Sequence, residues 1–451
     1  MNWNTTDFGF QTTVQIDDGN LQIEFFDKNN SSSSSKSHGI GACLINLEDT
    51  IKMAEWLPYH YATLPLGSVV IALDPKNSDR GIQRTLELID LWKDRIEITL
   101  WPNFVLPDHL IFRDRQSYTR HRQVYFANQC LKYHKSQSRT QANDSNNRRR
   151  TWTLLTDNDE FVTFNYVHEK DESLVFDHPS ANKTKIRKIL ESNRKKFMSL
   201  RKNLPLQSES TVLQFLQQTE QQQQQQLQQQ QTDNRTTTTT TTSTTRNHRT
   251  KKADKDKQQK PKRFFPTCIR LPGIRYGGDS GLKKEITTNT STTASTTAAV
   301  IEPRYLTTLR NIHHERRKSK FSKVIIDVSH IKSVDLEWSK KNNAKTIHNP
   351  AKACGPNGAS DSGADYVSSL FRLNHYLGSK ESFLERSGTD YRTRSIHTYQ
   401  EKFRKVSIGT SNWDIDVGSW VDVFVQSVGG NTAEAKRLLA PLRKYQENTD
   451  S

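Results

Sequence analysis

Four short apolar runs alternate with helix-like segments over residues 41–155, and this pattern restricts the fold more than any other feature of the chain. The runs cover residues 41–45, 68–73, 96–101 and 152–155, and each is typical of a buried strand. Strands that alternate with helices build a parallel sheet through right-handed crossovers. We therefore predict an α/β fold with a mostly parallel, Rossmann-like central sheet.

Apolar spacing predicts three helices between these strands, over residues 51–61, 82–92 and 120–133. Asn46 is a candidate cap for the first helix, and Pro58 is expected to kink or shorten it. Later in the chain, an ordered loop is predicted at 268–278, a strand at 321–328 and a terminal packing helix at 433–445. Ordered structure is thus expected on both sides of a long polar stretch.

Polar, repetitive stretches separate the ordered parts of the chain. Gln-rich and Thr-rich tracts lie at 217–231 and 236–245, and such tracts lack the apolar side chains needed to form a core. The predicted divisions are a disordered leader (1–38), a first folded half (39–178), a disordered basic and Gln/Thr-rich insert (179–262), a second folded half with a disordered break at 286–300 (263–400) and a C-terminal helical extension (401–451).

The chain is strongly basic, with a formal net charge of +17 over 451 residues. Such a charge is typical of proteins that bind nucleic acids or other polyanions. The Lys and Arg residues, however, cluster in separate polar stretches and lack the interleaved aromatic residues of an RNA-binding sheet. We expect weak attraction to polyanions and no specific nucleic-acid binding.

Four widely spaced cysteines and the lack of a targeting pattern bear on the cellular compartment. No Cys-x-x-Cys motif occurs among the four cysteines, so a structural zinc site is not expected; they are Cys43, Cys130, Cys268 and Cys354. They allow two disulfides or none, and Cys43 is interpreted as a small buried apolar residue. No signal-peptide pattern and no run of about 20 apolar residues is present. Either the protein works in the cytoplasm, or a membrane anchor is missing from this sequence.

The fourth strand-like run ends in an acidic motif, Asp157-Asn158-Asp159, with Glu160 directly after it. In open α/β sheets, ligands bind outside the carboxyl ends of the strands. Mn2+ and Mg2+ take oxygen ligands and are commonly held by carboxylates together with phosphate oxygens. The motif predicts a metal-bridged diphosphate, most naturally that of a nucleotide-sugar. The alternative is an acidic turn that only faces water.

Asp74 ends the second predicted strand at the same edge of the sheet. An acidic residue in this position of a nucleotide-binding sheet commonly contacts a ribose hydroxyl. Asp74 is therefore a candidate nucleotide contact, and an ordinary turn residue before Pro75 is the alternative.

Several short motifs, in their order along the chain, resemble glycosyltransferase family 92. The resemblance covers most of residues 39–165 and, more thinly, residues 264–395. It is carried by Glu55-Trp56-Leu57-Pro58-Tyr59-His60, the strand of residues 70–74, Trp101-Pro102, Ala127-Asn128-Gln129-Cys130, residues 152–161 with the acidic motif, Lys323-Val324-Ile325-Ile326, His348, Asn374-His375-Tyr376 and residues 379–383.

The resemblance implies a GT-A fold, in which the first half binds a UDP-sugar and the second half faces the acceptor. It also implies Mn2+ or Mg2+ as cofactor and transfer of a sugar, with galactose expected, to a glycan or glycoprotein hydroxyl with inversion. Members of this family usually work in the Golgi. A membrane association would then require an anchor that this sequence does not contain.

Individual site residues are carried over by the same resemblance. Asp159 is expected to bind the metal directly, and Asp157 to contact ribose or metal-bound water. His348 matches a late histidine that completes the metal shell, although a structural role is the alternative. Asp49 and Asp74 are expected nucleotide-sugar contacts. His375 and Tyr376 are expected acceptor contacts.

An inverting transfer requires a base that deprotonates the acceptor hydroxyl. Glu381 is the predicted catalytic base, with Asp327, Glu385 and Asp390 as rivals and a solvated helix-start residue as the alternative reading of Glu381.

The chain also departs from the family pattern. Glu48-Asp49 stands where Asn-Glu is usual, and Asp327-Val328 replaces the usual Arg-Pro. Two other hypotheses therefore stay open, a catalytically inactive relative that binds glycans or nucleotides and a basic polyanion-binding interaction protein.

Overall fold

The computed structural model describes about half of the chain. The described residues are 11–17, 20–26, 40–47, 50–64, 66–75, 77–102, 104, 106, 115–140, 152–165, 184, 187–192, 195, 268–277, 300–311, 313–314, 322–331, 369, 371–376, 397–401, 409–410 and 420–447. No helix among them is long and apolar enough to cross a membrane.

Twelve strands occur in the described ranges, and they form one extended mixed sheet. They are β1 (Gln11–Asp17), β2 (Asn20–Phe26), β3 (Ile40–Asn46), β4 (Leu66–Leu73), β5 (Glu97–Trp101), β6 (Trp152–Leu155), β7 (Glu160–Phe164), β8 (Cys268–Tyr276), β9 (His313–His314), β10 (Ser322–Asp327), β11 (Phe371–Tyr376) and β12 (Gly409–Thr410). The main path runs β1-β2-β5-β4-β3-β6-β10-β8-β11-β7, and β9 joins β8 to β12.

Helices cover both faces of this sheet. The main ones are α1 (Thr50–Thr63), α2 (Asp79–Trp92), α3 (Arg115–Thr140), the short α4 (Thr307–Arg310), α5 (Trp420–Ser427) and α6 (Thr432–Glu447). Ser78 begins α2 as its N-cap, since its hydroxyl accepts the Gly81 backbone N–H at 3.1 Å. The α/β class predicted from the sequence is confirmed.

The four central strands β5, β4, β3 and β6 are mutually parallel. Along the chain, β4 is added on one side of β3 and β5 beyond β4, whereas the next of these strands, β6, is added on the opposite side of β3. The direction in which the sheet grows therefore reverses between β3 and β6. In open α/β sheets such a reversal leaves a crevice outside the carboxyl ends of the two strands. Outside this block the pairing is antiparallel, except for β8 with β11.

Alternate residues of each central strand enter two separate cores. In β4, Val69 and Ile71 pack towards α1 and α2, whereas Val70 and Ala72 pack towards α3. This follows from the two-residue period of side-chain direction in a strand. Because both faces are covered, the strands read as nearly continuous apolar runs.

The C-terminal helices belong to the first of these cores. Leu438, Leu439 and Leu442 of α6 are buried in it, together with Trp420 and Phe424 of α5. The terminal packing helix expected from the sequence is present. The segment predicted as an extension therefore completes the main domain.

Four local expectations differ from the structure. The helix α1 continues through Pro58 to Thr63 and is not shortened there, because burial of the residues around Pro58 outweighs one lost backbone hydrogen bond. Residues 268–276 form strand β8 instead of a loop. The predicted leader contains the hairpin β1–β2, which pairs with β5. Within the predicted insert, residues 187–192 are helical and Leu190 is buried in the core.

Cys43 is not a free apolar residue, because it forms a disulfide with Cys130. Cys43 lies on the face of β3 that packs against α3, and Cys130 lies on the buried side of that helix. Their Cα atoms are 6.1 Å apart, within the usual range for a disulfide. Cys268 is disulfide-bonded as well. Since the two partners of the first bond are 87 residues apart, their spacing in the sequence does not reveal it.

Candidate functional site

The acidic motif lies at the carboxyl end of β6, beside the carboxyl end of β3. The side chain of Asn158 donates to Asn46 Oδ1 at 3.2 Å, and Asn46 in turn donates to Thr85 Oγ1 at 2.8 Å. Asn46 therefore joins the two strand ends instead of capping α1. The motif is placed where the strand order reverses, which is the expected ligand crevice of this sheet type.

Glu160 shapes the turn that presents the motif. One of its carboxylate oxygens accepts the backbone N–H of Asp157 at 2.9 Å and the hydroxyl of Thr156 at 3.2 Å. The turn closes with a bond from the Glu160 N–H to the Asp157 carbonyl at 3.2 Å. As a result, the side chain of Asp157 faces outward and is 44% exposed.

Two buried lysines contact the carboxylates of this turn. Lys323 of β10 lies 2.8 Å from Asp157 Oδ2 and 3.3 Å from Glu160 Oε2. Lys52 of α1 lies 3.0 Å from Asp159 Oδ2. Both lysine side chains are only 3% exposed. Lys323 reaches the motif because the antiparallel register of β10 on β6 pairs Val324 with Leu155, the last residue of β6.

His375 of β11 completes the cluster, with Nε2 3.5 Å from Asp159 Oδ2. Burial lowers the pKa of His375, but the nearby Asp159 carboxylate outweighs this effect and the net pKa is raised. Burial raises the pKa of Glu160 to about 7, against the opposing charge of Lys323. Burial also opposes the charge on Lys323, yet the Asp157 and Glu160 carboxylates raise its pKa overall. The cluster thus balances three carboxyl groups with two ammonium groups and an imidazole.

Helix α1 holds β7, the strand that follows the acidic turn. Trp56 Nε1 donates to the Glu160 carbonyl at 3.1 Å, and the Tyr59 hydroxyl donates to the Val162 carbonyl at 3.0 Å. The Val162 N–H donates to His60 Nε2 at 3.2 Å. β7 ends the main path of the sheet and pairs with β11 on its other side. Side chains of α1 therefore satisfy the outer backbone edge of β7.

Glu55 fixes α1 to the short helix α4. Its carboxylate accepts the backbone N–H groups of Thr307 and Thr308 at 2.7 and 2.9 Å, and the Thr308 hydroxyl at 2.6 Å. Burial raises the pKa of Glu55 although these hydrogen bonds favour its charged form. The Glu-Trp-x-x-Tyr-His segment thus has a structural role in positioning the acidic turn.

Asp74 lies at the predicted edge of the sheet, but it is buried and paired with Arg122 of α3. Burial lowers the pKa of Arg122 to about 10. A nucleotide contact by Asp74 would have to compete with this ion pair.

The two predicted acceptor residues occupy different environments. His375 is 30% exposed and borders the acidic cluster. Tyr376 is fully buried, with its ring 5.3 Å from that of Phe161 and 5.1 Å from that of Tyr276. The expected acceptor contact by Tyr376 therefore does not fit its position, since the ring lies in the core.

The structure tests only one of the candidate bases. Asp327 is at the opposite end of β6, where it pairs with Trp152, and its carboxylate accepts from the Ser329 N–H and hydroxyl. It is therefore excluded as a base at the acidic motif. Glu381, Asp49 and His348 lie outside the described residues, as do the rivals Glu385 and Asp390.

A second group of potential metal ligands is Cys43, Cys130 and His134. The two sulfur atoms are joined in the disulfide and offer no thiolate. Burial lowers the pKa of His134 to about 4. This group is a packed part of the core and gives no support to a Mn2+ or Mg2+ site.

The fit of a divalent cation to the acidic motif can be judged from its contacts. Carboxylate oxygens are suitable ligands for Mn2+ or Mg2+. In this arrangement, however, each carboxylate already has an ammonium group within hydrogen-bonding distance. Lys323 contacts Asp157, and Lys52 contacts Asp159. A cation bound to either carboxylate would stand beside a buried positive charge. The residues as arranged do not fit the predicted metal.

Sequence reasoning gave no role to Lys52 and Lys323. A weak signal exists for both, because each lysine interrupts an apolar pattern, Lys52 between Ile51 and Met53 and Lys323 directly before Val324. Neither pattern indicates which carboxylate the lysine contacts, since Asp159 is 107 residues from Lys52 and Asp157 is 166 residues from Lys323.

Comparison of the chain with protein families, with curated proteins and with solved structures gave no significant match. The geometry and charge of the cluster are therefore the basis for assigning a function.

Proposed function

We propose that the chain is a glycosyltransferase of GT-A type that binds a UDP-sugar at the carboxyl edge of β3 and β6. The observation that carries this proposal is the position of Asp157 and Asp159 at the point where strand order reverses. A ligand in this crevice meets an exposed carboxylate, Asp157, and the polar side chains that surround it. The ordered motifs that resemble glycosyltransferase family 92 support the same function.

The chemistry of such a transfer makes two demands on the site. The leaving diphosphate develops negative charge, which preorganised positive groups must stabilise. The acceptor hydroxyl must lose a proton as it attacks the anomeric carbon from the opposite face. Lys52 and Lys323 lie at the edge of the sheet where the leaving diphosphate would develop its negative charge. Glu381 remains the predicted base, and galactose remains the expected sugar.

We place the protein in an oxidising compartment, with the Golgi lumen as the expected location. The Cys43–Cys130 disulfide supports this placement, since disulfides are rare in cytosolic proteins of mesophiles. A glycan or glycoprotein acceptor would be available there.

Calorimetric titration of the full chain with UDP, with and without Mn2+, tests the proposal. Wild-type protein should bind UDP, and Asp157→Asn should weaken binding about tenfold, because Asp157 is the expected ribose contact and a hydrogen bond to a charged group contributes about 1.5–3 kcal/mol. Asp90→Asn, which neutralises an exposed carboxylate on α2, is the matched control and should bind like wild type. Absence of UDP and UDP-galactose binding under both conditions would refute the proposal.

An inactive relative that binds nucleotide without transferring sugar is the second candidate. The observation in its favour is that the charges of the acidic cluster are already balanced within the protein. Release of UDP from UDP-galactose in the presence of candidate acceptors separates the two. Binding without turnover by any donor and acceptor pair would favour the inactive relative.

A further inference from the structure

We propose that Cys43, Cys130 and His134 form a zinc site in the thiol form of the protein, the form in which both cysteines are reduced. Strand β3 and helix α3 are then joined by a disulfide under oxidising conditions and by Zn2+ under reducing conditions. Zinc binding of this kind is independent of the proposed glycosyltransferase activity. Its ligands escape a search for Cys-x-x-Cys, because the two cysteines are 87 residues apart.

The three side chains come together from two elements. Cys43 lies on β3, whereas Cys130 and His134 are four residues apart on α3 and therefore share one face of that helix. One ligand atom from each residue belongs to a group whose members all lie within 4.8 Å of one another. Ligands of a tetrahedral Zn2+ are about 3.5–3.8 Å apart, since Zn–S and Zn–N bonds measure about 2.3 and 2.1 Å. Small side-chain rotations therefore suffice once the S–S bond is open.

The surroundings of His134 are those of a ligating histidine. Metal-bound histidines usually donate their second ring N–H to a backbone carbonyl or carboxylate, which fixes the orientation of the ring. The Ala42 carbonyl oxygen lies 3.2 Å from His134 Nε2 and is placed to accept such a bond. The ring also packs against Gly41, where an added Cβ atom would lie only 2.8 Å from Cε1. Glycine at this position of β3 therefore leaves the space that the imidazole occupies.

A buried hydroxyl group lies on the same face of the sheet. Thr153 of β6 is paired with Gly41, so its side chain is on the side of the sheet that carries Cys43. Its Oγ1 atom is buried and has no hydrogen-bond partner among the residues that the structure describes. Three protein ligands leave the fourth position of a tetrahedral Zn2+ to water. Thr153 is a candidate hydrogen-bond partner for that water.

The chemistry of the three groups favours Zn2+ over the ions considered at the acidic motif. Thiolate and imidazole are common zinc ligands, whereas Mg2+ and Mn2+ prefer oxygen. Two thiolates and one Zn2+ sum to zero charge, which suits a core in which all three residues are at most 2% exposed. Burial does not block entry of the metal, because zinc binding is coupled to folding and the ligands of the unfolded chain are open to solvent.

Conversion between the two states is a balanced thiol–disulfide exchange. A dithiol reductant transfers two electrons and two protons to the Cys43–Cys130 bond and becomes a disulfide itself. The two thiols then lose two protons as their sulfur atoms bind Zn2+. Oxidation by a disulfide reverses both steps and releases the metal. Since a newly made chain carries thiols, the zinc form precedes the disulfide form and replaces it wherever the surroundings stay reducing.

The first experiment compares the zinc content of the two forms. Full-length protein is produced in a reducing bacterial cytosol with added Zn2+, purified without oxygen and freed of unbound metal by gel filtration. Elemental mass spectrometry should find about one zinc per chain, and less than about a tenth of that amount after oxidation to the disulfide. A thiol form that folds without zinc overturns the proposal, as does a thiol form that zinc does not fold or zinc that stays bound after oxidation.

The second experiment removes single ligands from the thiol form. Cys43→Ala and His134→Gln should each retain less than about a fifth of the wild-type zinc content, because a structural zinc site needs its full ligand set. His60→Gln is the matched control, since it changes another buried imidazole, and Cys268→Ala tests the remaining cysteines. Both controls should keep the wild-type zinc content. Zinc that is lost from Cys268→Ala and kept by His134→Gln contradicts the proposal.

The third experiment needs no variant, so it does not depend on the folding of one. Co2+ is substituted for Zn2+ in the thiol form, and its absorption spectrum reports the coordination geometry and the number of thiolate ligands. Tetrahedral Co2+ with two thiolates is expected, and any other number of thiolates refutes the proposed ligand set. The Tm of the thiol form should also rise by about 5–10 °C when free Zn2+ is about 100 times its Kd. The disulfide form should show no such rise, and an equal rise in both forms would place the metal elsewhere.

Discussion

Removing the Cys43–Cys130 disulfide should cost the protein a large part of its stability. The bond closes a loop of 87 residues that includes α1, β4, α2 and β5. In the chain-entropy description, opening a loop of this length frees the unfolded chain by about 4.6 kcal/mol at 25 °C. Domains are typically stable by only about 5–15 kcal/mol. The double variant Cys43→Ala/Cys130→Ala should therefore lose between about a third and about nine-tenths of the free energy of unfolding.

Urea unfolding followed by tryptophan fluorescence measures this change, because Trp92 and Trp101 report on the two cores. Val70→Ala is the matched control, since it removes buried side-chain volume from the same face of the sheet without changing a covalent link. We expect the control to lose less than half as much free energy of unfolding as the double variant. Equal losses in the two proteins would refute the reasoning, because the cost would then come from packing and not from the cross-link.

Three further perturbations test the positioning of the site. Trp56→Phe removes the donor to the Glu160 carbonyl, so thermal unfolding should show a loss of about 1–3 kcal/mol; an unchanged Tm would contradict this assignment. Asp74→Asn leaves the buried Arg122 guanidinium without its carboxylate and should cost about 3–5 kcal/mol in urea unfolding, whereas a loss below about 1 kcal/mol would show that the pair is not buried in solution. Burial lowers the pKa of His60 to about 3, whereas in the unfolded state this imidazole is protonated as the pH falls below about 6.5. Stability should therefore fall by about 2 kcal/mol between pH 7 and pH 5, because only the unfolded state gains this proton. His60→Gln should remove that part of the pH dependence, and an identical pH profile in the variant would contradict the assigned pKa.

Local patterns in the sequence were sufficient for the central architecture. The strands at residues 40–46, 66–73, 97–101 and 152–155 and the helices between them follow from apolar periodicity, because burial on a sheet or helix face imposes a regular spacing. The acidic motif was likewise found at a strand end by position alone. Helix α6 was found by the same spacing of its buried leucines.

The tertiary structure alone decided how these elements share charge and covalent links. The register of β10 on β6 brings Lys323 to Asp157, and the packing of α1 brings Lys52 to Asp159. Cys43 pairs with Cys130 because α3 crosses the face of β3 on which Cys43 lies.

Periodicity records whether a residue is buried and on which face, but it carries no information about which distant residue becomes its neighbour. Sheet order and helix packing determine that. The carboxylates of the motif were therefore visible in the sequence, whereas the two lysines that neutralise them became visible only in the folded chain.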